Sequence, residues 1–201
     1  MDRLFSRLIA KIGSPLCHQR VSASSIDQYK NKLPYQLLDF WSEHGWCSFG
    51  NGVFWLTNPQ DYDDVVNAWL ENTKFATNDN YHIIARSAFG DLYFWGEKSG
   101  ASLKISSILS RYTTRTSIHT GEQLSKGFPA FLLSISFDSN NYGDLFEPAL
   151  QNLGPLAPDE MYGFVPAVML GGSNTVDHLA KLKAPEHLIL LSKITPLQAY
   201  D

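Results

Sequence analysis

The stretch from Tyr81 to Ser117 limits the fold more than any other part of this chain. Tyr81–Arg86 is rich in β formers, Phe89-Gly90-Asp91 reads as a turn, and Leu92–Trp95 returns to strand character. Glu97-Lys98-Ser99-Gly100 makes a second turn and Leu103 to Ile105 a third strand. Arg111–Ser117 then continues with threonine-rich β character. Short strands joined by tight turns pair with their sequence neighbours in antiparallel sense, because a parallel pair needs a crossover of about a dozen residues. An antiparallel meander is therefore the frame, and its apolar faces need helices to cover them.

Helix signals lie on both sides of it. Asp2 can cap a first helix in which Leu4, Phe5, Leu8, Ile9 and Ile12 share one face and Arg3, Arg7 and Lys11 the other; Gly13 and Pro15 end it. Ser25 with Gln28 forms a capping box for the next turn. Pro34 starts a helix with Leu37, Leu38 and Trp41 at helical spacing, and Gly45 stops it. Gly50 and Gly52 precede a β-rich run from Val53 to Leu56. Asn58-Pro59 opens a further helix whose buried face is Val65, Val66, Trp69 and Leu70.

Residues 119–127 read as a connector, and beyond them the pattern is mainly helical. Phe128–Phe137 is an apolar helix, and Asp144 with Glu147 caps another that ends at Leu153-Gly154-Pro155. Met161–Leu170, interrupted by Gly163 and Pro166, fits a strand or loop. Val176, Leu179 and Leu182 have helical spacing, and Pro185 restarts a last helix. The expectation is an α+β fold: an antiparallel sheet flanked by helices over residues 1–120, then a smaller, mostly helical domain over 126–201.

Charge is distributed unevenly. Residues 1–125 balance 12 Lys/Arg against 12 Asp/Glu, whereas residues 126–201 carry 4 against 8 and supply the whole net −4. No basic residue stands between Lys126 and Lys181, where Asp138, Asp144, Glu147, Asp159, Glu160 and Asp177 all lie. A nucleic-acid binder would show the opposite sign; a surface for a basic partner would look like this. Two cysteines, Cys17 and Cys47, are too few for a disulfide scaffold. The opening lacks the apolar stretch of a signal peptide, and no run approaches the ~18 apolar residues of a membrane span. A reducing cytoplasm, with no membrane contact, is the expected setting.

Catalytic signals are weak. His18, His44, His82, His119, His178 and His187 are scattered, and no two stand at the i, i+4 spacing that puts both on one helix face. Cys17 and His18 are adjacent, which is a poor geometry for a nucleophile and its base. No nucleophile elbow, phosphate loop or dinucleotide fingerprint is present. A non-enzyme without metal or cofactor is expected.

Binding signals are better. Asp61, Asp63, Asp64 and Glu71 cluster on one predicted helix; those in its first turn offset the helix dipole, and the group can also face a basic groove on a nuclease. Asp138, Asp159 and Glu160 are acids that no cap accounts for. Trp41, Trp55, Trp69 and Trp95 fall on predicted buried faces, whereas Trp46, Tyr62, Tyr93 and Tyr142 stand in turns or at element ends and are the candidate aromatic anchors. Arg86 reads as a buried ion-pair partner of Asp91 across the hairpin.

The run LPYQLLDFWSEHGWCSFGNGVFWL (Leu33 to Leu56) resembles the GAD-like domain family, as does YHIIARSAFGDLYFWGEKSGASLKI (Tyr81 to Ile105). FEPALQNLGPL (Phe146 to Leu156), DEMYGFVPAVMLGG (Asp159 to Gly172) and EHLILL (Glu186 to Leu191) resemble the C-terminal domain of type VI secretion immunity proteins. The opening motif is also similar to the SMI1/KNR-like immunity superfamily. These resemblances imply a cytoplasmic partner that binds and blocks a toxic effector, often a DNase, by occluding its active site. The rival reading is a small-molecule or nucleotide sensor with a pocket between the two domains.

Overall fold

The meander is present and forms the middle of a larger sheet. The computed structural model describes residues 3–200. Among the described residues ten strands follow one another: β1 (Leu16–Gln19), β2 (Trp46–Phe49), β3 (Phe54–Leu56), β4 (Tyr81–Ser87), β5 (Asp91–Gly96), β6 (Gly100–Ser106), β7 (Arg111–Thr114), β8 (Glu160–Phe164), β9 (Leu179–Lys183) and β10 (Gln198–Ala199). The first seven pair in sequence order, each antiparallel to the next, and β10 returns to lie parallel to β7. The strands β8 and β9 form a separate antiparallel ribbon.

Eight α-helices among the described residues cover the sheet: α1 (Arg3–Ile12), α2 (Ala23–Tyr29), α3 (Tyr35–His44), α4 (Asp63–Leu70), α5 (Phe75–Asn78), α6 (Phe128–Ser134), α7 (Phe146–Leu153) and α8 (Ala184–Ser192). Side chains alternate along each strand, so β5 sends Tyr93 and Trp95 to one face and Leu92 and Phe94 to the other. On the first face Phe5 and Leu8 of α1, Leu37, Phe40 and Trp41 of α3, and Phe128 and Leu132 of α6 join Tyr93 and Trp95. On the second, Val65 and Trp69 of α4 and Leu188 and Leu191 of α8 pack with Ile83, Leu92, Phe94, Leu103 and Ile105. Each face thus takes apolar residues from both ends of the chain. All four tryptophans expected inside, Trp41, Trp55, Trp69 and Trp95, are buried.

Local chemistry explains the helix ends. α1 buries Phe5, Leu8 and Ile12 at i, i+3 and i+7, with the Phe5 ring stacked on Phe40 at 3.9 Å. Arg7 and Lys11 on its polar face are exposed, and Lys11 Nζ donates to the Leu133 carbonyl. The Asp2 cap lies outside the described residues. Pro34 precedes α3, and Gly45 ends it at φ +76°, its N–H donating to the Trp41 carbonyl.

Four sequence expectations are corrected. α2 is capped by Ser22, whose hydroxyl accepts from the Ser25 N–H, so Ser25 and Gln28 form no capping box. α7 begins at Phe146 with no side-chain cap; Asp144 instead accepts from the Asn141 amide at 2.9 Å. Leu179 and Leu182 belong to β9, because Leu179–Lys183 finds its hydrogen-bond partners in β8. Arg86 does not pair with Asp91. It stands opposite Leu92, so Asp91, one residue away, points to the other face and pairs with Lys104 at 2.7 Å.

The ribbon carries a pH-sensitive contact. A Cβ at Gly163 would lie 2.7 Å from His187 Nε2, so the bare glycine lets the imidazole rest against β8. Burial lowers the His187 pKa, and burial followed by the Arg86 charge lowers that of His18. For a lowered value the unfolded chain binds the proton first. The stabilisation is present above the ordinary histidine pKa of about 6.5 and is lost as pH falls through the folded value. We expect urea midpoints to fall on acidification below about pH 6.5, and His187→Leu to flatten that slope. An unchanged slope in the variant would locate the titration elsewhere.

Candidate protein interface

α4 is set up by the turn before it. Asn58 Oδ1 accepts from the Gln60 N–H and Asn58 Nδ2 donates to Asp61 Oδ1, with Pro59 opening the turn. This places Asp61 just ahead of α4 and Asp63 and Asp64 in its first turn, all three exposed. Carboxylates there oppose the helix dipole favourably. The inner face of α4, Val65 and Trp69, is held by the sheet and by α8, its main helical neighbour.

One flank of α4 is left open. Asp63, Val66, Asn67, Leu70 and Glu71, at helical spacing, form one wall of a groove of about 660 Å³. Phe75 and Ala76 of α5 extend it, and Asp79, Asn80, Tyr81, His82 and Glu97 close the far side. Its lining holds four carboxylates and neither lysine nor arginine. Asp79 is fixed by the β5–β6 turn, accepting from the backbone N–H of Lys98 at 3.0 Å and of Ser99 at 2.8 Å, and from the Ser99 hydroxyl at 2.6 Å. Glu97 meets His82 Nε2 at 2.9 Å. The local field is felt nearby: burial, with the Asp63 and Asp61 charges adding to it, pushes the Tyr29 hydroxyl up to about 12. Burial also raises the Asp61 carboxyl, the Asn58 amide opposing and the Asp63 charge adding.

The expected aromatic anchors lie elsewhere. Trp46 is 8 % exposed, Tyr62 4 % and Tyr93 7 %. Their positions at turns and strand ends suggested exposure, but Trp46 lies in β2 between two other strands, and the remaining two are held by polar partners inside. Tyr62 accepts a hydrogen bond from Arg86 Nε at 2.8 Å, and the Tyr93 hydroxyl donates to Asn140 Oδ1 at 2.8 Å. Tyr142 is half-buried between the Phe89 and Phe164 rings, 5.4 and 5.5 Å away.

The second acidic stretch is also changed by folding. Asp159 pairs with Lys183, which holds its carboxyl below the usual range, and Glu160 lies 3.6 Å from Lys181. Glu160 also accepts from the Ala157 N–H at 2.9 Å. The two lysines come from β9, alongside β8, so the segment that lacks bases in sequence borrows them in space. Asp159 and Glu160 are thus not free acids, whereas Asp138 is exposed. Asp61, Asp63, Asp64 and Glu71 share one region around α4; Asp138, Asp159 and Glu160 stand outside it.

Two features had little sequence signal. The groove combines residues of α4, α5, β4 and the β5–β6 turn, and only Asp63 and Glu71 were candidates beforehand. Arg86 is completely buried as expected, but its partners were not foreseen: its guanidinium lies 4.8 Å from the centre of the Trp55 ring. Beyond Tyr62 it donates to the carbonyls of Ser87, Pro158 and Glu160 at 3.3, 3.0 and 2.7 Å, tying β4 to the start of β8.

Residues 3–109 match the family model of the GAD-like domain, more than half of the chain. The chain belongs to the GAD-like domain family. Residues 125–195 of this GAD-like protein match the family model of the C-terminal domain of the type VI secretion system immunity protein Tdi1. Among solved structures, Atu4351 from Agrobacterium tumefaciens is similar, with a TM-score of 0.81 and 23 % identity over 98 % of this chain and 92 % of that one. At that identity the likeness concerns the fold. No curated protein matches the chain. No helix among the described residues is long and apolar enough to cross a membrane, and no group of three or more metal-ligating side chains occurs among them.

Proposed function

We propose that this GAD-like protein is a cytoplasmic immunity protein that binds a cognate type VI effector and blocks it stoichiometrically. The observation that carries the reading is the match of residues 125–195 to the C-terminal domain of an immunity protein. The exposed carboxylates around α4 suit a basic partner, and a DNase must present lysine and arginine to phosphates, so a nuclease is the proposed effector class. Asp61, Asp63, Asp64 and Glu71 form the proposed contact surface, with Asp138 as a separate exposed acid. Covering the effector's cationic cleft would exclude its substrate.

The test is co-expression with candidate type VI effectors encoded near this gene, scoring growth and co-purification. Rescue with a stable complex supports the reading; two folded proteins with neither rescue nor complex would sink it. Within a complex, Asp61→Lys, Asp63→Lys and Asp64→Lys together should weaken binding by about ten- to a hundredfold at low salt, mostly through the association rate. Unchanged binding would remove this patch from the contact surface.

A further inference from the structure

We infer that the groove between α4 and the β4–β5 hairpin is the docking site for one cationic segment of a partner protein, with apolar side chains set between its lysines or arginines. The inference rests on the immunity reading for the identity of that partner. The groove's own chemistry specifies the segment.

Charge gives the first part of the specification. Asp63, Glu71, Asp79 and Glu97 line the groove, and no lysine or arginine does. Their surroundings differ: Glu97 shares a contact with His82, whereas the partners of Asp79 are neutral donors, three backbone amides and a hydroxyl, which leave its charge in place. Asp63 and Glu71 are exposed and take part in no ion pair among the described residues. Anions, including nucleic acid and acidic lipid headgroups, are repelled here. A cation is attracted from both walls.

Apolar surface gives the second part. Val66 and Tyr81 are partly exposed between the carboxylates, above the buried Leu70 and Phe75, and the Phe75 and Tyr81 rings meet edge to face at 6.1 Å. A bare polyamine would answer the charges but leave this surface wet. An amphipathic peptide segment answers both, burying apolar side chains on the floor and placing its charged ends at the walls. The fold keeps the floor rigid, since α4 is backed by α8 and Asp79 is locked into the β5–β6 turn.

The test uses the intact protein labelled with ¹⁵N and a synthetic lysine–leucine peptide of about a dozen residues as probe. Shifts should concentrate in residues 63–82 and around Glu97, and the double variant Asp63→Lys/Glu71→Lys should weaken binding at least tenfold. That pair moves a positive charge to both ends of α4, where the dipole effects oppose each other, so the fold is retained; a thermal melt checks this. Shifts spread over the surface, or unchanged affinity in the folded variant, would overturn the inference. So would spermidine giving the same shifts at equal concentration, because the floor would then play no part. If the wild-type protein binds its co-expressed toxin and the variant binds equally well, the groove assignment fails and the immunity reading stands. If the wild-type protein binds no toxin, the immunity reading fails and the peptide titration alone decides the groove.

Discussion

Replacing Gly90 by alanine is expected to cost about 2–5 kcal/mol of stability, a large share of the 5–15 kcal/mol typical of a folded domain. Gly90 closes the turn between β4 and β5 at φ +82°, a left-handed conformation in which a Cβ is strained. A methyl there would also lie 2.6 Å from Met161 Cε, 2.7 Å from Ser107 Oγ and 3.1 Å from Leu188 Cδ2. The Met161 tip can move, but the Ser107 hydroxyl is buried between strands and Leu188 is part of the second-face core. Backbone strain of about 1–2 kcal/mol and overpacking of about 1–3 kcal/mol therefore add. Urea denaturation followed by tryptophan fluorescence measures the loss; a midpoint within error of wild type would show that the turn can relax.

Arg86→Met should be similarly damaging, at about 3–5 kcal/mol from the buried acceptors it leaves unpaired, although methionine fills much of the volume. The variant removes the guanidinium's donors from the Tyr62 hydroxyl and from the Ser87, Pro158 and Glu160 carbonyls, four acceptors that it serves together. Because Pro158 and Glu160 lead into β8, hydrogen exchange should quicken in β8 and β9 before it does in the meander. Arg86→Lys is not expected to restore stability. A lysine offers a single ammonium where the arginine spreads donors over the four acceptors. Uniform protection in Arg86→Met would contradict the clamp.

Which parts of this architecture could be read from the residues follows from how local their causes are. The meander is written in its turns: Phe89-Gly90-Asp91 and Glu97–Gly100 close hairpins between β-forming runs, and that information lies within a few residues. Helix α3 between Pro34 and Gly45, and α4 after Asn58-Pro59, are equally local. β9 is not, since Val176, Leu179 and Leu182 recur every three residues as in a helix. Only pairing with β8 makes Leu179–Lys183 a strand. The candidate contact surface divides the same way. The acids before and within α4 stay exposed because they open a surface helix. Trp46, Tyr62 and Tyr93 are covered by strands, by Arg86 and by Asn140, none of which their own sequence neighbourhood specifies. Asp159 and Glu160 acquire lysine partners only once the ribbon forms.

The return of β10 to β7 has a consequence in time. A chain leaving the ribosome completes β1 to β7 well before Gln198 and Ala199 exist, so the nascent sheet carries an open edge at Arg111–Thr114. Its second apolar face also waits for α8. Unpaired edges and uncovered apolar faces are what neighbouring chains seize upon. Synthesis that stalls after the meander therefore leaves a sticky intermediate, which becomes safe only once α8 and β10 have been added.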